Sequence, residues 1–298
     1  MALYALVCTV CLGLTATVSL DGAVVLMIPL LKVLSRRYGA PFAPMFLGSV
    51  IVSNVASIAV PQGNPTNLVL INRLGLSPAA FIAHMLAPAL LATALCVAVI
   101  AVRERRILSQ PITSETAEPT PFSRAEKHAL CAFMLAALTA WFAPLLGVAP
   151  WWPFTVAVAV ALATQGTRPR LVTPWRVAAQ VGALLVVISA TGLTVHTAGA
   201  LALPMLLALA GAIGAAAALA NNLPVSVCIA GLLTSGASAY AASIGLAIGS
   251  LAMPQGSVAT LVATDLAGSD APALSPRGLI PIAITGVVAA TLTLYLAI

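Results

Sequence analysis

The stretch AVPQGNPTNLVLINRLG, residues 59–75, interrupts an otherwise apolar chain with Pro61, Gln62, Gly63, Asn64, Pro65, Thr66 and Asn67 in succession. A second stretch, AMPQGSVATLVATDLAG at 252–268, aligns with it without gaps, Pro61 and Pro254 standing 193 residues apart. Pro removes a backbone donor and Gly relaxes the chain. A helix broken at such a point frees N–H and C=O ends to meet an ion or a polar solute. One loop of this kind reads equally well as a Pro-kinked helix with no ligand. Two in matched positions, Pro61, Gln62, Gly63 and Pro254, Gln255, Gly256, point to a shared site.

The surroundings set the solvent. The chain has 298 residues, 61% hydrophobic and 7% charged, with a mean hydropathy of +1.09. Soluble domains carry roughly 25% charged residues. Long apolar runs without alternation exclude a β-barrel, so the expected class is all-α, a polytopic membrane protein. Apolar runs cover 2–19, 22–34, 40–58, 79–102, 124–146, 150–165, 177–195, 198–220, 225–234, 238–252 and 278–298. The net charge of +6 lies in short clusters between these runs, which reads as membrane orientation rather than nucleic-acid binding.

The two loops organise the rest. A hydrophilic linker, 103–123, separates a first repeat, 1–102, from a second, 124–298. Each loop follows a hairpin with a polar tip, SLDGA around Asp21 and ANNLP around Asn221 and Asn222. With the linker in the cytoplasm and 2–34 and 198–234 as re-entrant hairpins, all but Arg73 of the 13 Lys and Arg residues face the cytoplasm. The repeats then run in opposite directions, the pattern of secondary transporters with a site at the midplane. Three helices precede the second hairpin and none precedes the first. About 70 residues of N-terminal scaffold are therefore expected to be missing by analogy with the repeat.

Asn64, Thr66 and Asn67 on one side, with Asn221, Asn222, Ser257 and Thr260 on the other, form the expected binding lining of amides and hydroxyls. Asp21 is the one carboxylate expected deep in the membrane and is the candidate coupling residue. Asp265 reads as a surface residue; His84, His128 and His196 read as packing or interfacial, and Trp141, Trp151, Trp152 and Trp175 as an aromatic belt. Cys8, Cys11, Cys96, Cys131 and Cys228 fall in apolar segments and read as small hydrophobes. Cys8-x-x-Cys11 has no third ligand nearby, so no metal site is expected. No cofactor is expected, and no nucleophile–base set suggests an enzyme.

On DGAVVLMIPLL at 21–31, SNVASIAVPQGNPTNLV at 53–69, PWRVAAQVGALLVVISATGL at 174–193, NNLP at 221–224 and PQGSVATLV at 254–262, the chain resembles the ion transporter superfamily. It looks most like the bacterial arsenical pump membrane protein, the arsenite-efflux permease. The resemblance implies an elevator-type carrier in the cell inner membrane with two re-entrant hairpins and two broken helices around one site. It also implies proton-coupled export of arsenite or antimonite, a homodimer, and in some cases a soluble ATPase subunit. Partners would otherwise be membrane lipid and the small inorganic solute or ion. The sequence departs from the family at Leu20-Asp21, where Asn-Asp is usual, and at Asn54 and Ala247, where acidic residues are common. A sodium/proton antiporter or an organic-anion carrier of the same superfamily is the alternative. No Arg or Lys is expected at the midplane, which argues against dicarboxylates. A truncated, non-transporting scaffold is the third possibility.

Overall fold

The structure is a computed structural model that describes residues 1–111, 202–233 and 236–298, with isolated helical positions between 124 and 163. The chain divides into two compact units, Met1–Ser114 with Arg176–Ile298, and Glu115–Trp175. The described elements below all belong to the first unit. The expected scaffold helices at 124–146, 150–165 and 177–195 lie largely or wholly outside the described residues.

The first half begins with α1 (Ala2–Thr17) and α2 (Leu20–Tyr38), joined at Ser19, whose φ is 128°. Ser19 accepts a hydrogen bond from Gly22 N, and Gly39 in the left-handed region stops the helix (φ 64°). The expected short run 22–34 is thus part of a 19-residue helix that carries Lys32, Arg36 and Arg37 in its last turns. Helix α3 (Phe42–Ala56) follows Pro41 and is buried on every face from Pro44 onward. A helix apolar all round belongs in the middle of a bundle. After α3 the chain makes two single turns, Ser57–Ala59 and Pro61–Gly63, and restarts as α4 (Pro65–Leu74). Gly75, again left-handed at φ 63°, ends α4, and Ser77-Pro78 opens the long helix α5 (Pro78–Arg103).

The beginning of the expected linker is helical. Arg103 closes α5, and α6 (Arg105–Leu108) adds one further turn with Leu108 buried. Residues 112–123 of this linker lie outside the described residues.

The same order of elements recurs later. α7 (Leu203–Ala220) meets α8 (Asn222–Ala230) at Asn221, which has a φ of 78°. α9 (Ala237–Ala247) is buried from Ser238 to Ala247, as α3 is. Single turns at Gly249–Ala252 and Pro254–Gly256 lead into α10 (Val258–Ala267), a turn at Gly268–Asp270, and α11 (Pro276–Ala297). No strand occurs among the described residues.

Length and composition separate these helices into classes. Phe42–Ala59, α5, α7 and α11 are long and apolar enough to cross a membrane, whereas α1 and Ala237–Ala252 are apolar but shorter. The outer faces of α5 and α11 carry exposed Leu86, Leu90, Leu91, Ile284 and Leu292, as lipid-facing helices do.

Packing crosses between the halves. α5 lies along α11, α2 lies along α10, and α8 lies along α4. Close approach of α7 to the second break depends on glycine. A Cβ on Gly214 would sit 2.8 Å from Gly249 Cα, and one on Gly249 would collide with Gly214 Cα. Buried helix contacts without side chains let two backbones meet, the usual way helices associate where no water drives them together.

Of the cysteines, Cys8, Cys11 and Cys96 are buried, with Cys11 Sγ 3.3 Å from Ser49 O. Cys228 is half-buried and Cys131 is exposed, so the small-hydrophobe packing expected for all five does not extend to Cys131. His84 packs as expected, its ring stacked on Tyr240 at 4.9 Å. His128 and His196 lie outside the described residues, as do Trp141, Trp151 and Trp175. Trp152 and Asp265 are exposed.

Candidate functional site

The crossed packing brings four helix starts to one place. A cavity of about 70 Å³ is lined by Leu20 and Asp21 of α2, Asn64, Pro65 and Thr66 at the start of α4, Asn222 and Leu223 of α8, and Ser257, Val258 and Ala259 at the start of α10. Every polar side chain in this lining was legible as a candidate. Neither Lys nor Arg lines it.

Each break is held open by its own hydrogen bonds. In the first, Asn67 Nδ2 donates to Ser57 O at 2.9 Å and to Val60 O at 3.1 Å, satisfying two carbonyls that the interrupted helix has released. Asn64 Oδ1 accepts from Thr66 N at 3.0 Å and caps α4, while its Nδ2 donates to Ser57 Oγ at 3.2 Å. Gly63 folds back so tightly that a Cβ there would strike Ser57 O; Gly256 stands in the same relation to Ser250 O.

The hairpin tips are tied to the breaks. Asn221 Nδ2 donates to Gln255 O at 2.9 Å, and its Oδ1 accepts from Leu223 N to cap α8. On the other side Gln62 Nε2 donates to Ala16 O at 3.5 Å, near the end of α1. The two Pro-Gln-Gly turns therefore use their glutamines differently. Gln62 is half-buried and reaches the tip with its side chain, whereas the Gln255 side chain is exposed and only its carbonyl takes part.

The candidate residues thus divide in two. Asp21, Asn64, Thr66, Asn222 and Ser257 share the cavity wall. Asn67, Asn221 and Thr260 stand behind it, Asn67 and Asn221 as braces of the breaks. Several buried oxygens near the site have no hydrogen-bond partner, among them Asp21 Oδ1, Thr66 Oγ1, Asn67 Oδ1 and Thr260 Oγ1. Buried oxygens left unpaired are expensive and mark places where a ligand or water completes the set.

Two contributors to the site escape a reading of residue types. Asn54, at the end of α3, accepts a hydrogen bond from Ser257 Oγ at 2.6 Å and so joins the two breaks directly. The apolar wall of Leu20, Leu223, Val258 and Ala259 carries no signal beyond its position beside a polar tip.

Among the described residues no group of three or more His, Cys, Asp or Glu is arranged to hold a metal ion. What the site offers is helix-start N–H groups, hydroxyls, amides and one carboxylate. Such a set can exchange hydrogen bonds with a small polar solute.

Helical elements throughout the described residues, several of them apolar and of membrane length, and a small cavity walled by interrupted helices form the architecture of a multi-pass membrane transporter. The chain belongs to the citrate transporter family (CitMHS), whose model matches residues 1–243. Comparison with curated proteins gave no match.

Proposed function

We propose that this protein is a secondary transporter of a small organic anion of the citrate type, with Asp21 as the proton-coupling group. The observation that carries this reading is the meeting of four helix N-termini, those of α2, α4, α8 and α10, at one cavity. Each helix start is equivalent to roughly half a positive charge. Together they place about two positive charges around the cavity without any basic side chain. The lack of Lys or Arg therefore does not count against a carboxylate substrate, contrary to the expectation from residue types alone.

Asp21 gives the coupling. An ionised carboxylate beside an anionic substrate repels it, and the repulsion is strong where water is excluded. Protonation of Asp21 removes that charge, so the anion and a proton bind together and leave together. The two halves, on this reading, lie inverted across the inner membrane, the first re-entrant hairpin opening to the cytoplasm and the second to the outside, with the basic loops cytoplasmic.

The test is uptake of radiolabelled citrate into proteoliposomes under an imposed inward proton gradient. Accumulation that collapses with the gradient is expected; citrate that neither accumulates nor competes would overturn the reading.

A second reading is efflux of arsenite or antimonite. The cavity of about 70 Å³ and its neutral amide and hydroxyl groups suit a compact polyhydroxy solute. The same vesicles separate the two: antimonite movement that citrate does not inhibit would favour the inorganic solute.

A further inference from the structure

The four helices at the cavity do not begin alike. Ser19, Asn64 and Asn221 each accept a hydrogen bond from a first-turn N–H of their own helix, that of Gly22, Thr66 and Leu223 respectively. Ser257 occupies the same cap position on α10, and its side chain makes no such bond. A serine at this position ordinarily accepts from the second or third amide of the helix. Here the Ser257 hydroxyl is turned away and donates to Asn54 Oδ1 at 2.6 Å. Both residues are fully buried. Asn54 is itself fixed, since its Nδ2 donates to Val50 O at 2.9 Å, one turn back along α3.

The arrangement has no counterpart in the other half. The register partner of Asn54 is Ala247, which has no side-chain acceptor. The register partner of Ser257 is Asn64, which bonds within its own half to Ser57 and caps α4. One of the four helix starts is thus open, and a single side chain holds it so.

We propose that the first-turn amides of α10, at Ala259 and Thr260, are the direct contact for an oxyanion of the carried solute, and that Asn54 is the positioning residue that keeps Ser257 from capping them. The proposal rests on the anion reading above and adds to it the contact that holds the anion. A second observation points the same way. Thr66 lines the same cavity as Ser257 and Ala259, is 1% exposed, and its Oγ1 has no partner. It supplies a hydroxyl donor from α4 to a ligand held at α10. The three capped helix starts then contribute their field, while the open one contributes hydrogen bonds. A charge-assisted hydrogen bond is roughly twice as strong as a neutral one, so the open amides discriminate in favour of oxyanions.

The experiment measures equilibrium binding of radiolabelled citrate to the purified full chain. Asn54→Leu removes the acceptor and releases the Ser257 hydroxyl to cap α10; affinity is expected to fall about tenfold, the scale of one lost charge-assisted hydrogen bond. Adding Ser257→Ala removes the hydroxyl that would cap the helix, and affinity is expected to return to within about threefold of the unsubstituted protein. A role for Asn54 in packing alone predicts no recovery, so a double variant as weak as Asn54→Leu overturns the proposal. Ser257→Asn, with Asn54 intact, places at the cap position the residue type that caps α4 at Asn64, and should bind about tenfold more weakly; affinity equal to that of the unsubstituted protein overturns the proposal, and this arm decides the matter if Asn54→Leu does not fold. Equal binding by every variant overturns the proposal and leaves the anion reading standing. No citrate binding by the unsubstituted protein overturns both.

Discussion

Lys32 Nζ lies 3.4 Å from Asp270 Oδ2 and donates to Ala267 O at 2.9 Å, so the last turn of α10 is clasped by a cation from α2. Arg36 adds a second contact to the same carboxylate at 3.1 Å. A cation at the end of a helix meets the negative end of its dipole as well as its unpaired carbonyls. α2 and α10 therefore start together at the cavity and are tied again where α10 ends. Lys32→Met is expected to destabilise the protein by about 1 kcal/mol, the net worth of a hydrogen bond to a helix-end carbonyl, as a lowered Tm in detergent. An unchanged Tm would mean that the contact contributes nothing.

The clasp also sets a pH response. Hydrogen bonding from Lys32 holds the Asp270 carboxyl below its ordinary value of 3.8. A depressed carboxylate adds stability above the ordinary value, and the contribution disappears as pH falls through the lowered one. Acidification below about pH 4 should therefore lower the Tm of the unsubstituted protein more steeply than that of Asp270→Asn. Parallel slopes in the two proteins would rule out this source of acid sensitivity.

Two glycines, Gly249 facing α7 and Gly211 on it, give a sharp contrast. Gly249→Ala places a methyl against the Gly214 backbone, which has no side chain to move aside. Overpacking of this kind costs about 1–3 kcal/mol. Gly211→Ala, on α7 with nothing within 4 Å of the added carbon, should stabilise by up to about 1 kcal/mol through helix propensity. Thermal melts of the two variants should move in opposite directions.

Asn67 tests the first break. Its amide serves two buried carbonyls, Ser57 O and Val60 O, and Asn67→Leu removes both bonds, leaving Val60 O only its bond from Gly63 N. The expected loss is about 2–4 kcal/mol, enough to lower yield and Tm together. Asn67→Asp should fare no better, because a carboxylate cannot donate to either carbonyl.

Asp21→Asn tests coupling. The substitution removes the titrating group and leaves the size of the side chain nearly unchanged. Citrate uptake in proteoliposomes is expected to lose its dependence on the imposed proton gradient while equilibrium binding persists. A gradient response equal to that of the unsubstituted protein would remove Asp21 from the coupling role.

The sequence made much of this legible, for identifiable reasons. Pro61-Gln62-Gly63 and Pro254-Gln255-Gly256 announced the breaks because Pro and Gly act on the backbone locally, whatever surrounds them. Asp21, Asn64 and Ser257 stood out because polar residues are conspicuous in an apolar chain. The lengths of α2 and α8 were less readable, since Lys32, Arg36 and Arg37 continue a helix that a hydropathy run ends early. What local pattern does not hold is pairing across 203 positions. Nothing around Asn54 points to Ser257, and nothing in the type of Lys32 points to Asp270. The positive field of the cavity was hidden for another reason: it comes from backbone at helix starts, which no residue count registers.

The crossed packing of α2 on α10 and α8 on α4 has a consequence for divergence. Each half's hairpin is shaped by a helix encoded in the other half, so two copies of one ancestral unit would have ceased to be free to vary separately. Substitutions tolerated along α2 should be those that α10 can absorb, and the pairs that change together in descent should be found between the halves rather than within them.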